Sequence, residues 1–164
     1  MSAPMAEILL MRHAKSEHPS GLADRHRPLS RRGARSAVAI GNAIAGFDAA
    51  PDLILTSPAR RAVDTATLTR DGGGWSSPIV DVEDLYGAGV TTVLDTLATH
   101  MPSGRVLAVG HEPTWSATVS AIIGGGAINM VTAAVACIES AVPATSGSGY
   151  LRWMLHPRLF TDAS

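Results

Sequence analysis

Short apolar runs that stop on polar, chemistry-bearing residues recur along this chain. Ile8-Leu9-Leu10-Met11 ends in Arg12-His13, Leu53-Ile54-Leu55 ends in Thr56-Ser57, and Val106-Leu107-Ala108-Val109 ends in Gly110-His111. Runs of this length and composition fit strands buried on both faces. They predict strands over 7–11, 53–56 and 105–109, with a further strand at 79–82. Between them the apolar spacing becomes helical. Ala34, Ala37, Val38, Gly41, Ile44 and Ala45 follow Ser30, a good N-cap, and stop at Gly46. Ser57-Pro58 reads as an N-cap with proline at the first helical position, which predicts a second helix over 59–70. Val90, Val93, Leu94, Leu97 and Met101 carry a third, closed by Pro102-Ser103-Gly104. Glu112-Pro113 opens a fourth that runs to about residue 123.

Two further strands are expected at 133–140 and 149–155, around a Ser/Gly-rich turn. Residues 14–28 form a polar loop, long enough to be functional or mobile. Leu85-Tyr86-Gly87 is a turn. Strand–helix alternation through residue 123 predicts an α/β fold: a three-layer sandwich with a mainly parallel central sheet covered by helices on both faces. No repeat, low-complexity tract or linker divides the chain, so 1–164 is expected to be a single domain.

In such sheets, ligand chemistry gathers at the carboxyl ends of the strands. That makes Arg12, His13, Ser57, Arg60 and His111 the candidate site. One such polar strand end is weak evidence, since a lone histidine is more often structural. Three from neighbouring strands are hard to explain as accident. Two guanidiniums, two imidazoles and helix-terminal N–H groups describe a pocket for a tetrahedral oxyanion, for which phosphoryl is the best fit.

Composition narrows the alternatives. A net charge of −1 exerts no general pull on nucleic acid or an anionic membrane. No apolar run approaches membrane length, and the first residues lack a basic, then apolar, leader pattern, so a cytoplasmic monomer is expected. The single cysteine, Cys137, excludes an intrachain disulfide and reads as core filler. Among six histidines there is no HxH or HxxxH pair, and arginines beside the candidate ligands would oppose a cation; no metal and no cofactor are expected. A Ser-His-Asp hydrolase is disfavoured by the lack of a G-x-S-x-G elbow. Neither Gly72-Gly73-Gly74 nor Gly124-Gly125-Gly126 is followed by the Lys-Ser/Thr of a phosphate-binding P-loop. Arg25, His26, Arg27, Arg31, Arg32 and Arg35 read as a solvated loop and helix start, or as a rim that recruits an anionic substrate. Trp75, Trp115 and Trp153 read as packing residues, with Trp115 close enough to His111 to wall the site.

Leu10-Met11-Arg12-His13-Ala14-Lys15-Ser16 resembles the R-H-G/A signature of the histidine phosphatase superfamily, also called phosphoglycerate mutase-like. The segment from Asp24 through Arg27-Pro28-Leu29, Thr56-Ser57-Pro58-Ala59-Arg60-Arg61, Glu83-Asp84-Leu85-Tyr86 and Val109-Gly110-His111-Glu112-Pro113 follow in the family's order. The R-H-A-K-S form and the short chain are similar to SixA-type phosphohistidine phosphatases. The resemblance implies that His13 is a nucleophile that becomes phosphorylated. It also implies that Arg12 and Arg60 bind phosphoryl oxygens, that His111 completes the pocket, and that no metal takes part. Lys15 and Ser16 are further candidates for phosphate binding. Glu83 is the candidate general acid, with Asp84 or neither as the alternatives.

The implied partner is a phosphorylated protein bearing phosphohistidine, or a small phosphorylated metabolite. An alkoxide leaving group, whose conjugate acid has a pKa near ~16, needs a proton far more than an imidazole of pKa roughly 6.5. The thin evidence for an acid therefore agrees with phosphohistidine. A small-molecule phosphomonoesterase or mutase and a non-catalytic phosphate-binding module are the competing readings.

Overall fold

A computed structural model describes residues 2–101 and 104–161. The chain forms β1 (Met5–Arg12), α1 (Arg31–Gly46), β2 (Leu53–Thr56), α2 (Arg60–Gly73), β3 (Ile79–Asp81), α3 (Val90–His100), β4 (Arg105–Gly110), α4 (Thr114–Ile122), β5 (Val135–Ala141) and β6 (Gly149–Leu155). Short 3-10 turns lie at Asp24–His26, Glu83–Leu85 and Pro157–Leu159. The expected Pro102-Ser103 helix stop falls outside the described residues.

The six strands make one sheet in the order β3-β2-β4-β1-β5-β6. β3, β2, β4 and β1 pair in parallel. β5 and β6 are antiparallel additions on the β1 side. The expected α/β sandwich is present, and the sheet is mixed at that edge because only a short turn joins β5 to β6. A hairpin can be closed by a few residues, whereas a parallel return needs a crossover.

Alternation along β1 divides the core. Ile8 and Leu10 face one layer with Val93, Leu97, Trp115, Val119 and Ile122, which come from α3 and α4. Leu9 and Met11 face the other, with Ala37, Ile40, Ile44, Ala62 and Ala66 from α1 and α2. Both faces of the central strands are thus covered, which is why their sequences are continuously apolar. The Ser30 cap forms as expected, its side chain accepting from Gly33 N at 3.0 Å.

Register sets the functional edge. Met11 pairs with Val109, and Val109 with Thr56. The next residues on each strand, Arg12-His13, Gly110-His111 and Ser57, therefore emerge side by side at the carboxyl edge. Met11 also pairs with Val135, and Val135 with Leu155. The antiparallel hairpin thus brings the chain before β5 and after β6 to that same edge.

Candidate active site

His13 sits one residue past the end of β1, yet its backbone continues the ladder, with His13 N donating to Gly110 O at 2.9 Å. The residue is 8% exposed. Nδ1 lies 2.8 Å from Ala14 O. A carbonyl can only accept, so Nδ1 carries the proton and Nε2 keeps its lone pair. That lone pair accepts from Arg61 Nε at 3.4 Å. Burial, reinforced by the nearby His111, Arg61 and Arg12, pushes the His13 pKa down to about 3. The ring is neutral at physiological pH.

His111 faces His13 at 5.2 Å between ring centroids. Its Nδ1 is 3.4 Å from Arg61 Nη2, a donor only, so Nδ1 accepts. Nε2–H is left to donate to Ser57 Oγ at 2.8 Å. Burial and then Arg61 lower the His111 pKa to about 4. The Gly110 that precedes it has a packing reason: a Cβ there would overlap the Trp115 ring. Trp115 is fully buried and donates from Nε1 to Ala108 O at 3.1 Å. It backs the β4 end rather than walling an open pocket.

The second guanidinium is Arg61, which corrects the expectation of Arg60. Arg60 is on the outer face of α2, with 58% of its side chain exposed, in an i,i+4 pair with Asp64 at 3.5 Å. Arg61 is 7% exposed and bridges both histidines. The reason is the helix start. Ser57 does not cap a helix whose first residue is Pro58; α2 begins at Arg60, after Ala59. From that start the buried stripe is Arg61, Ala62, Thr65, Ala66 and Thr69, and Arg60 falls about 100° away. The sequence carried this signal, because Arg61 shares the i,i+4,i+8 row of Thr65 and Thr69, whereas Arg60 shares one with Asp64.

Three residues without an expected role hold the cluster together. Thr65 Oγ1 donates to Arg61 O at 2.6 Å and accepts from Ala14 N at 3.0 Å, tying the first turn of α2 to the residue after His13. Asp24, from the 14–28 loop, accepts at Oδ2 from Arg61 Nη2 (3.1 Å) and from Tyr86 OH (2.8 Å), and its carbonyl accepts from Arg61 Nη1 at 2.8 Å. The Tyr86 hydroxyl, then Arg61, hold the Asp24 carboxyl below its usual range. Asp24 is therefore an ionised group that orients Arg61.

Arg12 points back into the fold, with Nη1 donating to Met130 O at 2.9 Å. Its Nε is buried with no acceptor among the described residues. Such an orphan donor costs about 1–3 kcal/mol and is the kind of exception that gathers at functional sites.

Glu83 does not join the cluster. Both its oxygens are taken by Arg25, at 2.6 and 2.7 Å, on the exposed surface. That ion pair lowers its pKa, the opposite of what a general acid requires. Asp84 lines a surface groove with Glu83 and Tyr86. Ser16 is buried in a bridge to Leu29 that closes the base of the loop. Lys15 is exposed, its carbonyl bound by Ser30 N at 2.8 Å and its side chain lining a different cavity. The side chains of Lys15 and Ser16 make no hydrogen bond, among the described residues, to His13, Arg61 or His111. Among the described residues, no group of three or more His, Cys, Asp or Glu is placed to hold a metal ion.

Comparison with known proteins gives the arrangement a lineage. The family model of the histidine phosphatase superfamily (branch 1) matches residues 8–87. An uncharacterised protein of Mycobacterium tuberculosis is 39% identical over 143 residues, 87% of this chain and 86% of its own length. The solved structure of the protein histidine phosphatase SixA complexed with tungstate is similar in fold, with a TM-score of 0.84 at 22% identity, covering 94% of this chain and 99% of that one. A protein assigned as the phosphohistidine phosphatase SixA of Agrobacterium tumefaciens matches with a TM-score of 0.81 at 29% identity, covering 95% of this chain and all of that one. With His13, His111 and Arg61 gathered at the ends of parallel strands, and the match beginning at the strand that carries His13, the chain belongs to the histidine phosphatase superfamily and is a phosphatase.

Proposed function

We propose that this phosphatase hydrolyses protein phosphohistidine through a covalent phosphoryl intermediate on His13. One observation carries the reading: burial keeps the His13 ring uncharged, and its free Nε2 lone pair faces a guanidinium. A neutral imidazole is a competent nitrogen nucleophile.

Nε2 attacks phosphorus. The P–N bond to the substrate histidine breaks, and that imidazole leaves neutral once its other ring nitrogen has taken a proton from solvent. Arg61 holds the equatorial oxygens, exchanging its bond to Nε2 for one to phosphoryl oxygen, and Arg12, whose buried Nε has no acceptor among the described residues, adds its charge beside His13. His111 lines the opposite wall. Water then attacks phosphorus and gives its proton to solvent; the His13 nitrogen–phosphorus bond breaks, and inorganic phosphate departs. Fixed guanidinium charge does the work a divalent cation would otherwise do, so the cycle runs without metal. Glu83 has no part in it.

A substrate with an imidazole leaving group asks little of a general acid, and Asp24, a carboxylate bound into the cluster, is held ionised. The SixA structures that share this fold point to the same substrate class. No helix among the described residues is long and apolar enough to cross a membrane, and the reading has the enzyme act as a cytoplasmic monomer.

The test is phosphate release from a phosphohistidine peptide, compared with sugar and glycerate phosphates in the presence of a chelator. His13→Ala should abolish turnover and the acid-labile phosphoenzyme. Full activity in that variant overturns the nucleophile. Faster release from the sugar phosphates makes the enzyme a small-molecule phosphomonoesterase, and phosphate binding without release makes it a binding module.

A further inference from the structure

A second, basic cavity lies at the same sheet edge. It has a volume of about 280 Å³ and is lined by Lys15, Arg32, His156 and Arg158. The hydroxyl-bearing Ser36, Thr132 and Thr161 also line it. These residues come from four places: the loop after β1, the first turns of α1, the segment before β5 and the 3-10 turn after β6. The antiparallel hairpin explains their meeting, since β5 starts and β6 ends beside the end of β1.

The charge is one-sided. No carboxylate lines the cavity among the described residues, and none of the ion pairs among them uses these four groups. Elsewhere on the surface, Arg25, Arg60, Arg70, Arg105 and Arg152 each pair with a carboxylate. Three cations grouped around one cavity repel one another, and an anion bound among them relieves that repulsion. The tautomer of His156 adds a donor. Its Nδ1 accepts from Arg158 N at 3.1 Å, so its proton is on Nε2.

We propose that this cavity is a second oxyanion site, separate from the His13 pocket, for a single phosphoryl or carboxylate group. Its volume is just below the ~300 Å³ at which small-molecule sites begin, which suits one oxyanion with its water. Lys15 is two residues from His13, so their Cα atoms are at most about 7 Å apart. The two sites are neighbours on one surface. An acidic or phosphorylated group beside the reacting residue of a protein substrate can reach the cavity, and so can free phosphate.

Inorganic phosphate is titrated into the full chain while amide resonances are followed. Thr132 and Thr161, with the His156 ring, report on the cavity; Ser57 and His111 report on the catalytic pocket. The expected result is two sets of shifts with separate saturation. Arg61→Ala should erase only the pocket set, and Arg32→Ala combined with Arg158→Ala only the cavity set; Arg158→Glu alone should also abolish the latter. The proposal is overturned if the cavity resonances stay still when the pocket is saturated, or if they shift equally in the double variant. Phosphoenzyme formation at His13 is scored separately, so failure of the cavity and failure of the proposed reaction remain distinct. The source of the anion is read from kcat/KM on phosphohistidine peptides with acidic or neutral flanks. If the substrate carries it, the double variant loses about tenfold on the acidic peptide alone, equal to about 1.4 kcal/mol. If free phosphate is the occupant, both peptides are processed as by the wild type while the cavity shifts vanish.

Discussion

The ends of β1 and β4 and the first turn of α2 supply the same pocket under different rules. On the strands, position follows from register: once Met11 lies beside Val109, His13 and His111 must emerge together. On the helix, each residue turns the side chain by about 100°, so a one-residue error in the start exchanges a buried guanidinium for an exposed one. Arg60 and Arg61 are adjacent in sequence and opposite in environment, at 58% and 7% side-chain exposure. Strand-borne chemistry is thus robust to small errors of boundary, and helix-borne chemistry is not.

The sharpest test of that contrast is to truncate the two arginines separately. Arg61→Ala should lower kcat on phosphohistidine peptide by about 10²–10³-fold, the loss typical of a removed oxyanion donor. Arg60→Ala should stay within about twofold in rate and within about 0.5 kcal/mol in stability, as for an exposed i,i+4 pair. Equal losses for both would break the comparison. A smaller effect concerns the strand-borne histidine and acid. His13 has a folded pKa of about 3 against 6.5 unfolded. Its contribution to stability is therefore complete above pH 6.5 and is lost as the pH falls, because only the unfolded chain takes up the proton. By pH 5 the loss is about 2 kcal/mol. His111, with a folded pKa of about 4, adds a loss of similar size, so His13→Gln should remove about half of the decline in Tm between pH 7 and 5, and a wild-type Tm that holds constant over that range would sink the assignment. The smallest effect is at the loop. Glu83→Gln should leave kcat within about twofold while removing an exposed pair worth about 0–1 kcal/mol; a shift in the alkaline or acid limb of its rate profile would return Glu83 to the chemistry.

What the sequence could yield follows the same physics. The strands and their polar ends were readable because burial on both faces leaves unbroken apolar runs. The R-H-A motif added the role proposed for His13. The Arg60 assignment failed because Ser57-Pro58 has the composition of a helix start, whereas Ser57 Oγ accepts from Ala59 N and from His111 Nε2. Asp24 and Tyr86 could not be assigned from spacing. They meet because the 14–28 loop, held by Arg61, folds over the turn after β3, to which Arg25 and Glu83 also tie it. Glu83 failed for the converse reason, since an arginine from that loop, Arg25, had already claimed it.

Gly110 and Trp115 tie the strand end that carries His111 to the protein's interior. The indole occupies the space a side chain at 110 would need, and it is itself packed among Ile8, Leu10 and Ile122. His111 consequently inherits the rigidity of the deepest layer of the molecule. Divergence toward new substrates has little room there, and must proceed through the opposite rim, where the loop bearing Asp24 and the turn bearing Tyr86 can change length and composition without disturbing the interior.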